Sequence, residues 1–481
     1  MPHATAEENK KPGTLDWQMT RFRFDSAETV QTSLIGGLRS RAIEGYASRT
    51  SVYPGEAIDL MVSVEPACRF TMDVYRLGYY GGTGGRHMGC LGTFDGEPQP
   101  VPMETVERLR ECSWRPAATL QIPGDWASGV YLVKLTRQTS SRAQSYIVFV
   151  VKERRKTDVL VQVSDLTWQA YNKWPGMNSI YDDGTLDLWY MGPNVRVSFD
   201  RPYAKYCQIV DSPLSCGSGS FLLWEFPLAF WLEAEGYDVT YCSNLDLHLD
   251  PGLLGNCKVF VSVGHDEYWT RAMFDNAAAA RDAGVSLLFL SGNSINHDVI
   301  PYDNGLTGAP FRAFARKQRF LDEYELMGAT TFGPGYGDWT VANPDHWVFE
   351  GTGMKEGDSI PGLVGWEYHG APFKAIEGLE LLAHSELTGV TAPSSKQKHA
   401  SPRVGDGKHA AVIYPGPKGN WVFNAGTIWW AQGLSSPPGH IPAKGVFGRV
   451  QGPDPRVRQI TRNLLARCIG RQTGQGKEET P

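Results

Sequence analysis

The chain has little charge and few cysteines for its length, and these shortages exclude several classes of protein. Charged residues make up 20% of its 481 residues, and the formal net charge is -6. Long basic runs are missing, so sequence-independent binding to nucleic acid or to an anionic membrane has little electrostatic support. The 8 cysteines form no Cys-x-x-Cys pair, which argues against a zinc knuckle or a dense disulfide scaffold.

Long apolar segments are missing as well. No stretch approaches the roughly 20 apolar residues that a membrane-spanning helix needs. Residues 1–16 are polar, without the apolar core of a secretory signal, and we therefore expect a cytoplasmic protein. Hydrophobic residues still make up 41% of the chain, which is enough for substantial cores in about two or three domains.

Short alternating runs separated by turn residues dominate residues 38–152, after an N-terminal arm at residues 1–37 that we expect to be partly disordered. We predict strands at residues 57–64, 69–77, 117–122, 129–136 and 145–151. Such a series is typical of an immunoglobulin-like β-sandwich. The glycine-rich segment at residues 78–86 lacks the Lys-Ser/Thr pair of a phosphate-binding loop, so we interpret it as a surface loop.

Strands and helices alternate after a charged linker at residues 152–156. We predict strands at residues 159–163, 238–242, 259–263 and 285–290, and helices at residues 221–235, 268–280 and 455–469. That order indicates a doubly wound, mainly parallel sheet. The α/β domain is therefore predicted to span residues 157–470, with extra strands in its second half and a disordered tail at residues 471–481.

The segment from Val259 to Trp269 is the most informative part of the chain. Its apolar half is too short for a helix, and it delivers His265, Asp266 and Glu267 at its C-terminal end. Ligands of open α/β sheets bind beyond the carboxyl ends of the strands, and crowded ionisable groups at such a place favour a chemical role. A structural interpretation is also open, because Asp266 or Glu267 could cap the following helix.

Three predicted strand ends, followed by residues 164–172, 264–269 and 291–297, are expected to face one crevice. Glutamine-amidotransferase-like domains often carry a nucleophilic cysteine after the central strand, and the His-Asp-Glu at that turn argues against thiol catalysis here. The hypothesis of a metal site starts from Glu267 and from tyrosines on other loops, Tyr171 and Tyr203. Carboxylate and phenolate oxygens are hard donors that suit ferric iron better than zinc.

Several segments together resemble the large subunit of N,N-dimethylformamidase and its relatives, over most of residues 40–470. They are residues 43–64, Tyr-Arg-Leu-Gly-Tyr-Tyr-Gly-Gly at 75–82, Thr-Trp-Gln-Ala-Tyr-Asn at 167–172, Ser-Phe-Asp-Arg-Pro-Tyr at 198–203, Gly-His-Asp-Glu-Tyr-Trp at 264–269 and Asn-Ala-Gly-Thr-Ile-Trp at 424–429. The resemblance implies a sandwich domain joined to an amidotransferase-like α/β domain. It also implies a mononuclear ferric ion, Fe(III), held by two tyrosinates and a glutamate, and hydrolysis of an amide.

The resemblance assigns the metal ligands to positions of this chain. Glu267 takes the place of the glutamate in the Gly-His-Asp-Glu-Tyr-Trp motif, with His265 beside it. Tyr171 and Tyr203 are the expected phenolates, and Tyr206 is open as an alternative to Tyr203.

The same resemblance implies the catalytic groups His265, Asn293 and Glu367, with Glu386 open as an alternative to Glu367. A ferric ion would polarise the amide carbonyl and lower the pKa of a bound water. Glu367 or His265 would then move protons, and Asn293 would donate a hydrogen bond to the oxyanion.

The chain is shorter than the large subunit and has no segment that resembles the small subunit, so the substrate need not be dimethylformamide. We expect a small-molecule amide as substrate and a homo-oligomer, with a separate small partner subunit left open. Two other functions are also open. One is a metal-free hydrolase, for instance of a glycoside, that pairs Asp266 or Glu267 with Glu367; the other is a non-catalytic carbohydrate- or protein-binding scaffold.

Overall fold

The structure, a computed structural model, describes residues 3–20, 39–185, 190–204, 216–390, 405–440 and 452–470. A β-rich N-terminal part is followed by a mixed α/β part, as the sequence predicts. The predicted tail and Tyr206 lie outside the described residues. Within these residues, every helix is too short or too polar to cross a membrane.

Two β-sheets enclose one apolar core in the N-terminal part. The strands are β1 (Glu44–Ala47), β2 (Ser51–Val52), β3 (Ala57–Ser63), β4 (Cys68–Leu77), β5 (Gly85–Gly96), β6 (Pro116–Gln121), β7 (Gly129–Arg137) and β8 (Gln144–Val151). One sheet has the order β2-β8-β7-β4-β5 and the other the order β1-β3-β6. Side chains from both, such as Leu60 and Val133, share a buried cluster. The predicted strands are confirmed, and β1, β2 and β5 are additional to them.

A large sheet forms the centre of the α/β part. Its strands, and those of the smaller sheets around it, are β9 (Thr157–Val163), β10 (Arg196–Ser198), β11 (Val239–Ser243), β12 (Cys257–His265), β13 (Tyr268–Trp269), β14 (Ser286–Gly292), β15 (His297–Tyr302), β16 (Ala313–Arg319), β17 (Thr330–Pro334), β18 (Gly337–Val341), β19 (Ser359–Val364), β20 (Glu367–Gly370), β21 (Glu380–Glu386), β22 (Lys408–Pro415) and β23 (Trp421–Asn424). The nine-stranded sheet has the order β11-β9-β12-β14-β23-β22-β21-β18-β19. Its strands are parallel from β11 to β23 and antiparallel beyond.

This strand order brings the predicted strand ends together. Strand β12 pairs in parallel with β9 on one side and with β14 on the other. Because parallel neighbours end at the same edge, the loops that follow these three strands start side by side. The prediction that these strand ends lie together is confirmed.

The helices differ from the sequence prediction in two respects. They are α1 (Ala4–Glu8), α2 (Asp165–Tyr171), α3 (Phe221–Trp224), α4 (Phe226–Ala234), α5 (Asn244–Leu249), α6 (Arg271–Ala283), α7 (Glu323–Met327) and α8 (Pro455–Ile469). The predicted helix at residues 221–235 is broken at Glu225, because Pro227 has no amide hydrogen with which to continue it. Helix α6 starts after Thr270, whose side chain accepts a hydrogen bond from the Met273 amide. The cap is therefore Thr270, and the interpretation of Asp266 or Glu267 as a cap is wrong.

A buried ion pair joins the β-rich part to the α/β part. Arg76 of β4 donates to both carboxylate oxygens of Glu233 in α4, at 3.0 and 2.8 Å, and both side chains are fully buried. Arg76 also donates to the carbonyl oxygen of Ser128, and Glu233 accepts from Tyr241. The N-terminal arm contributes Asn9, whose side-chain amide donates to Glu233 at 2.8 Å. The Oδ1 of Asn9 accepts from the backbone N–H groups of Tyr79 and Tyr80, so residues assigned from sequence to a partly disordered arm contact both parts.

Removing one side of this pair is expected to destabilise the protein strongly, because it leaves the other charge buried without a partner. We expect Glu233→Ala to lower the free energy of unfolding by about 3–5 kcal/mol, seen as a lower midpoint in urea. Glu235→Ala is the control, since Glu235 pairs with Arg462 where both side chains contact water and such pairs contribute about 0–1 kcal/mol. Equal effects of the two substitutions would contradict a structural role for the buried pair.

Candidate metal centre

The turn after β12 is built so that Glu267 faces helix α2. Gly264 has φ +72°, and a Cβ there would lie 2.7 Å from the Cβ of Trp224, so only glycine fits. The backbone N–H of Glu267 donates to the hydroxyl of Thr167 in α2 at 2.9 Å. This bond fixes the turn against the helix that carries Tyr171.

Two phenols and a carboxylate meet at this turn, and we call this set the oxygen cluster: Tyr171, Tyr181 and Glu267. The Tyr171 hydroxyl donates to Oε2 of Glu267 at 2.8 Å. The Tyr181 hydroxyl lies 2.9 Å from that of Tyr171 and 3.3 Å from both carboxylate oxygens of Glu267. All of these side chains are buried.

Burial controls protonation in the oxygen cluster. Desolvation, followed by the charge of Glu267, raises the pKa of Tyr171 and that of Tyr181 well above the usual value. Desolvation also raises the pKa of Glu267, and Glu367 adds to the effect while His265 opposes it. The phenols are therefore neutral unless a cation compensates their charge, and a highly charged cation is the agent that can do so.

A second group of polar side chains, the acid–base group, adjoins the oxygen cluster and consists of His265, Asn293 and Glu367. His265 Nε2 lies 2.8 Å from Oε2 of Glu367 and 3.5 Å from Oε2 of Glu267. The side-chain amide of Asn293 donates to Oε2 of Glu367 at 2.9 Å. A Cβ at Gly292 would lie 2.4 Å from the backbone oxygen of Glu367, so glycine is needed for β20 to approach this closely.

Charge and exposure distinguish the members of the acid–base group. Burial lowers the pKa of His265, but Glu367 and Glu267 outweigh it and raise the pKa above its usual value. The Glu367 side chain is 12% exposed, whereas that of His265 is 0% exposed. Glu367 is therefore the member of the group that water can reach, as an acid or base that exchanges protons with solvent must be.

The side chain of Asn293 has a hydrogen-bond acceptor without a partner in the described part of the chain, whereas the sequence-based hypothesis uses this side chain as a hydrogen-bond donor. Its φ of 52° is a left-handed conformation that is unusual outside glycine. The side-chain N–H group is engaged by Glu367, while the buried Oδ1 has no hydrogen-bond partner among the described residues. A buried acceptor without a donor is costly, so this oxygen is suited to accept a hydrogen bond from a ligand.

The alternatives left open by the sequence lie in different surroundings. Tyr203 packs edge-on against Trp168 of α2, with ring centroids 6.1 Å apart, and lines a small cavity with Asp165 and Arg201. Glu386 is exposed at the end of β21. The structure thus brings Glu367, and not Glu386, into contact with His265.

Asp266 points away from the crevice. Its carboxylate accepts hydrogen bonds from Gln162, Asn244 and Ser262 at 2.8 to 3.0 Å. Burial raises its pKa to about 6. These contacts give Asp266 a role in holding the end of β12, and they do not favour the metal-free pairing of Asp266 with Glu367.

Sequence reasoning missed several residues around Glu267. Asn296 donates to Oε1 of Glu267 at 3.4 Å, and His297 Nε2 lies 3.4 Å from the same oxygen. Burial, with Arg316 and Arg319 nearby, lowers the pKa of His297 well below its usual value. Tyr181, Tyr268 and Arg316 complete the surroundings. His297 is the last residue of a predicted crevice loop, and Tyr268 lies in the Gly-His-Asp-Glu-Tyr-Trp motif, so the sequence offers grounds for naming both as site residues. It offers none for Tyr181 or Arg316.

Aromatic side chains stand beside the acid–base group. Trp224, Trp366, Trp429 and Tyr336 belong to one apolar cluster, of which Tyr336 and Trp366 are only partly buried. Burial and then the charge of Glu367 raise the pKa of Tyr336, so this phenol lies near Glu367. Aromatic side chains therefore adjoin the one partly exposed member of the acid–base group.

The donor set favours a hard, highly charged cation. Among the described residues, no group of three or more His, Cys, Asp and Glu side chains is arranged to hold a metal ion. The donors that do converge are phenol and carboxylate oxygens, which suit ferric iron. These residues therefore fit the metal that the motifs imply.

Comparison with known proteins agrees with the motifs. No curated protein matches the chain. A family model described as N,N-dimethylformamidase beta subunit-like, C-terminal, matches residues 71–443. The matched region includes the oxygen cluster and the acid–base group. The chain therefore belongs to the N,N-dimethylformamidase beta subunit-like family.

Proposed function

We propose that the protein is an iron-dependent amidohydrolase that cleaves a C–N amide bond of a small molecule. The observation that carries this proposal is the oxygen cluster, in which a buried carboxylate and two phenols converge within 3.3 Å. Membership of the dimethylformamidase-like family supports amide hydrolysis as the reaction class.

The proposed ligands of a ferric ion are Tyr171, Glu267 and one further phenolate. The geometry supports Tyr181 as that phenolate, because its oxygen lies within hydrogen-bonding distance of both other donors. The resemblance to the large subunit supports Tyr203. Three anionic oxygens would balance the charge of a ferric ion.

The mechanism assigns each step to a residue of this chain. When bound by these residues, a ferric ion would supply the Lewis acidity that polarises an amide carbonyl and lowers the pKa of water. Glu367 takes a proton from the attacking water, and His265, in contact with Glu367 at 2.8 Å, returns one to the departing amine. The free Oδ1 of Asn293 accepts a hydrogen bond from the water or the amine. In the sequence-based hypothesis Asn293 donates to the oxyanion instead.

The proposal also includes the domain architecture and the partners of the protein. The two sheets around one core in the N-terminal part support an immunoglobulin-like sandwich, and the parallel sheet supports a glutamine-amidotransferase-like domain. Boundaries at residues 38–152 and 157–470 are part of the proposal. We further propose a cytoplasmic homo-oligomer, with a small partner subunit left open because the family is named for a beta subunit.

Glu267 is expected to be essential for the metal. The purified protein is predicted to contain about one iron per chain and to absorb visible light through phenolate-to-iron charge transfer. Glu267→Gln removes an anionic ligand and is expected to lose most of the iron, measured by elemental analysis and absorption. Glu386→Gln is the matched control, because Glu386 is exposed. Full iron occupancy in Glu267→Gln, or stoichiometric zinc in the parent, would contradict the assignment.

A pair of conservative substitutions tests which tyrosine, Tyr181 or Tyr203, is the phenolate ligand besides Tyr171. Tyr181→Phe and Tyr203→Phe each remove one hydroxyl and keep the ring. Loss of the visible band or of iron in Tyr181→Phe alone supports the geometry, and loss in Tyr203→Phe alone supports the resemblance. Tyr171→Phe is expected to disturb the band in either case, and an unchanged band in that variant would overturn the ligand set.

Glu367 is expected to act on protons and not to hold the metal. We expect Glu367→Gln to keep its iron and colour while turnover falls by about 10²-fold or more, the usual effect of losing a general acid or base. Formamides, acetamides and cyclic amides are the substrates to screen. Glu386→Gln again serves as the control. Unchanged turnover in Glu367→Gln, or clear glycosidase activity without amide hydrolysis, would contradict the proposed role.

A further inference from the structure

A chain of hydrogen bonds runs from Arg316 to the oxygen cluster. Arg316 Nη2 donates to the Tyr268 hydroxyl at 2.8 Å, and the Tyr268 hydroxyl donates to that of Tyr181 at 2.6 Å. Tyr181 donates to Tyr171 at 2.9 Å, and Tyr171 donates to Glu267 at 2.8 Å. The whole chain is buried.

The ends of this chain fix its direction. A guanidinium group can only donate hydrogen bonds, and a carboxylate can only accept them. Each hydroxyl in between therefore accepts from the side of Arg316 and donates towards Glu267. The hydrogen of the Tyr268 hydroxyl consequently points to the oxygen of Tyr181.

Among the described residues, backbone oxygens and phenol rings hold Arg316 in place. Its Nη1 donates to the backbone oxygens of Tyr190 and Gly192 at 3.3 and 3.5 Å. The guanidinium carbon lies 4.9 Å from the ring centroid of Tyr181 and 5.7 Å from that of Tyr268. A buried cation that faces phenols is suited to stabilise negative charge on a phenol oxygen.

We propose that Tyr268, oriented by Arg316, is a positioning residue for Tyr181, the phenol that the geometry supports as the further metal ligand. This inference rests on the proposed function. When Tyr181 is deprotonated, Tyr268 still has its hydrogen directed at the phenolate oxygen and donates to it. A hydrogen bond of this kind withdraws electron density from the ligand oxygen and weakens its donation to the metal. Tyr268 and Arg316 thus act on the centre through Tyr181.

The position of the visible band tests this role. A phenolate without its hydrogen bond is a stronger electron donor, so its charge-transfer band moves to longer wavelength. We expect Tyr268→Phe to keep its iron and to show that shift, with a more negative reduction potential of the iron. Tyr241→Phe is the matched control, because the buried hydroxyl of Tyr241 donates to Glu233 at the contact between the two parts of the fold. Its band is expected to stay at the parent position.

Two substitutions of Arg316 separate the effect of its positive charge from the effect of its packing. Arg316→Lys keeps the positive charge and is expected to give a band close to that of the parent. Arg316→Gln removes the charge and is expected to shift the band in the same direction as Tyr268→Phe, and it carries the test if Tyr268→Phe does not fold. A merely structural role predicts no shift of the band in any variant that retains iron.

The outcomes also separate this inference from the proposed function. An unchanged band in folded, iron-loaded Tyr268→Phe and Arg316→Gln would overturn the inference and leave the proposed function standing. A parent protein that takes up neither iron nor colour would overturn the proposed function and this inference with it.

Discussion

A carboxylate buried among phenols is the constraint on which the rest of the site depends. Glu267 is 2% exposed, and a buried anion is stable only when hydrogen bonds and positive charge compensate its lost hydration. Tyr171 and Asn296 supply hydrogen bonds, and the Tyr181 hydroxyl lies 3.3 Å from both carboxylate oxygens. His265 opposes the rise in the pKa of Glu267, and Arg316 does so more weakly. A ferric ion would complete this compensation.

Three features of the fold position the Glu267 carboxylate: the strand pairing, the turn at Gly264 and the contact of helix α4 with the β-rich part. The parallel pairing of β12 with β9 and β14 aligns the strand ends, and Gly264 lets the turn approach Trp224 at the end of α3. Helix α4 follows directly, and its Glu233 is bound by Arg76 of the β-rich part. The β-rich part therefore supports the wall of the crevice, although no member of the oxygen cluster or the acid–base group comes from it.

The sequence predicts the parts of the site that depend on local pattern. A short apolar strand places His265 and Glu267 at a strand end, and the next apolar strand predicts the polar loop that contains Asn293. The choice of Asn293 within that loop comes from the resemblance to the family. Glu367 is assigned only through the resemblance to the family, since no local pattern marks this residue at the start of β20. Tyr181 and Arg316 could not be predicted, because only tertiary packing brings a loop residue and a residue of β16 to Glu267. The break at Glu225 depended on one proline within an otherwise helical run.

Resonance Raman spectroscopy of the purified protein is the decisive experiment for the proposed metal centre, because it identifies the atoms that share electrons with the metal. With excitation in the visible band, we expect enhanced ring vibrations of tyrosine phenolate, and we expect them to weaken in Tyr171→Phe. An iron-loaded protein without phenolate vibrations, or with vibrations of cysteine thiolate in their place, would show that tyrosines do not hold the iron.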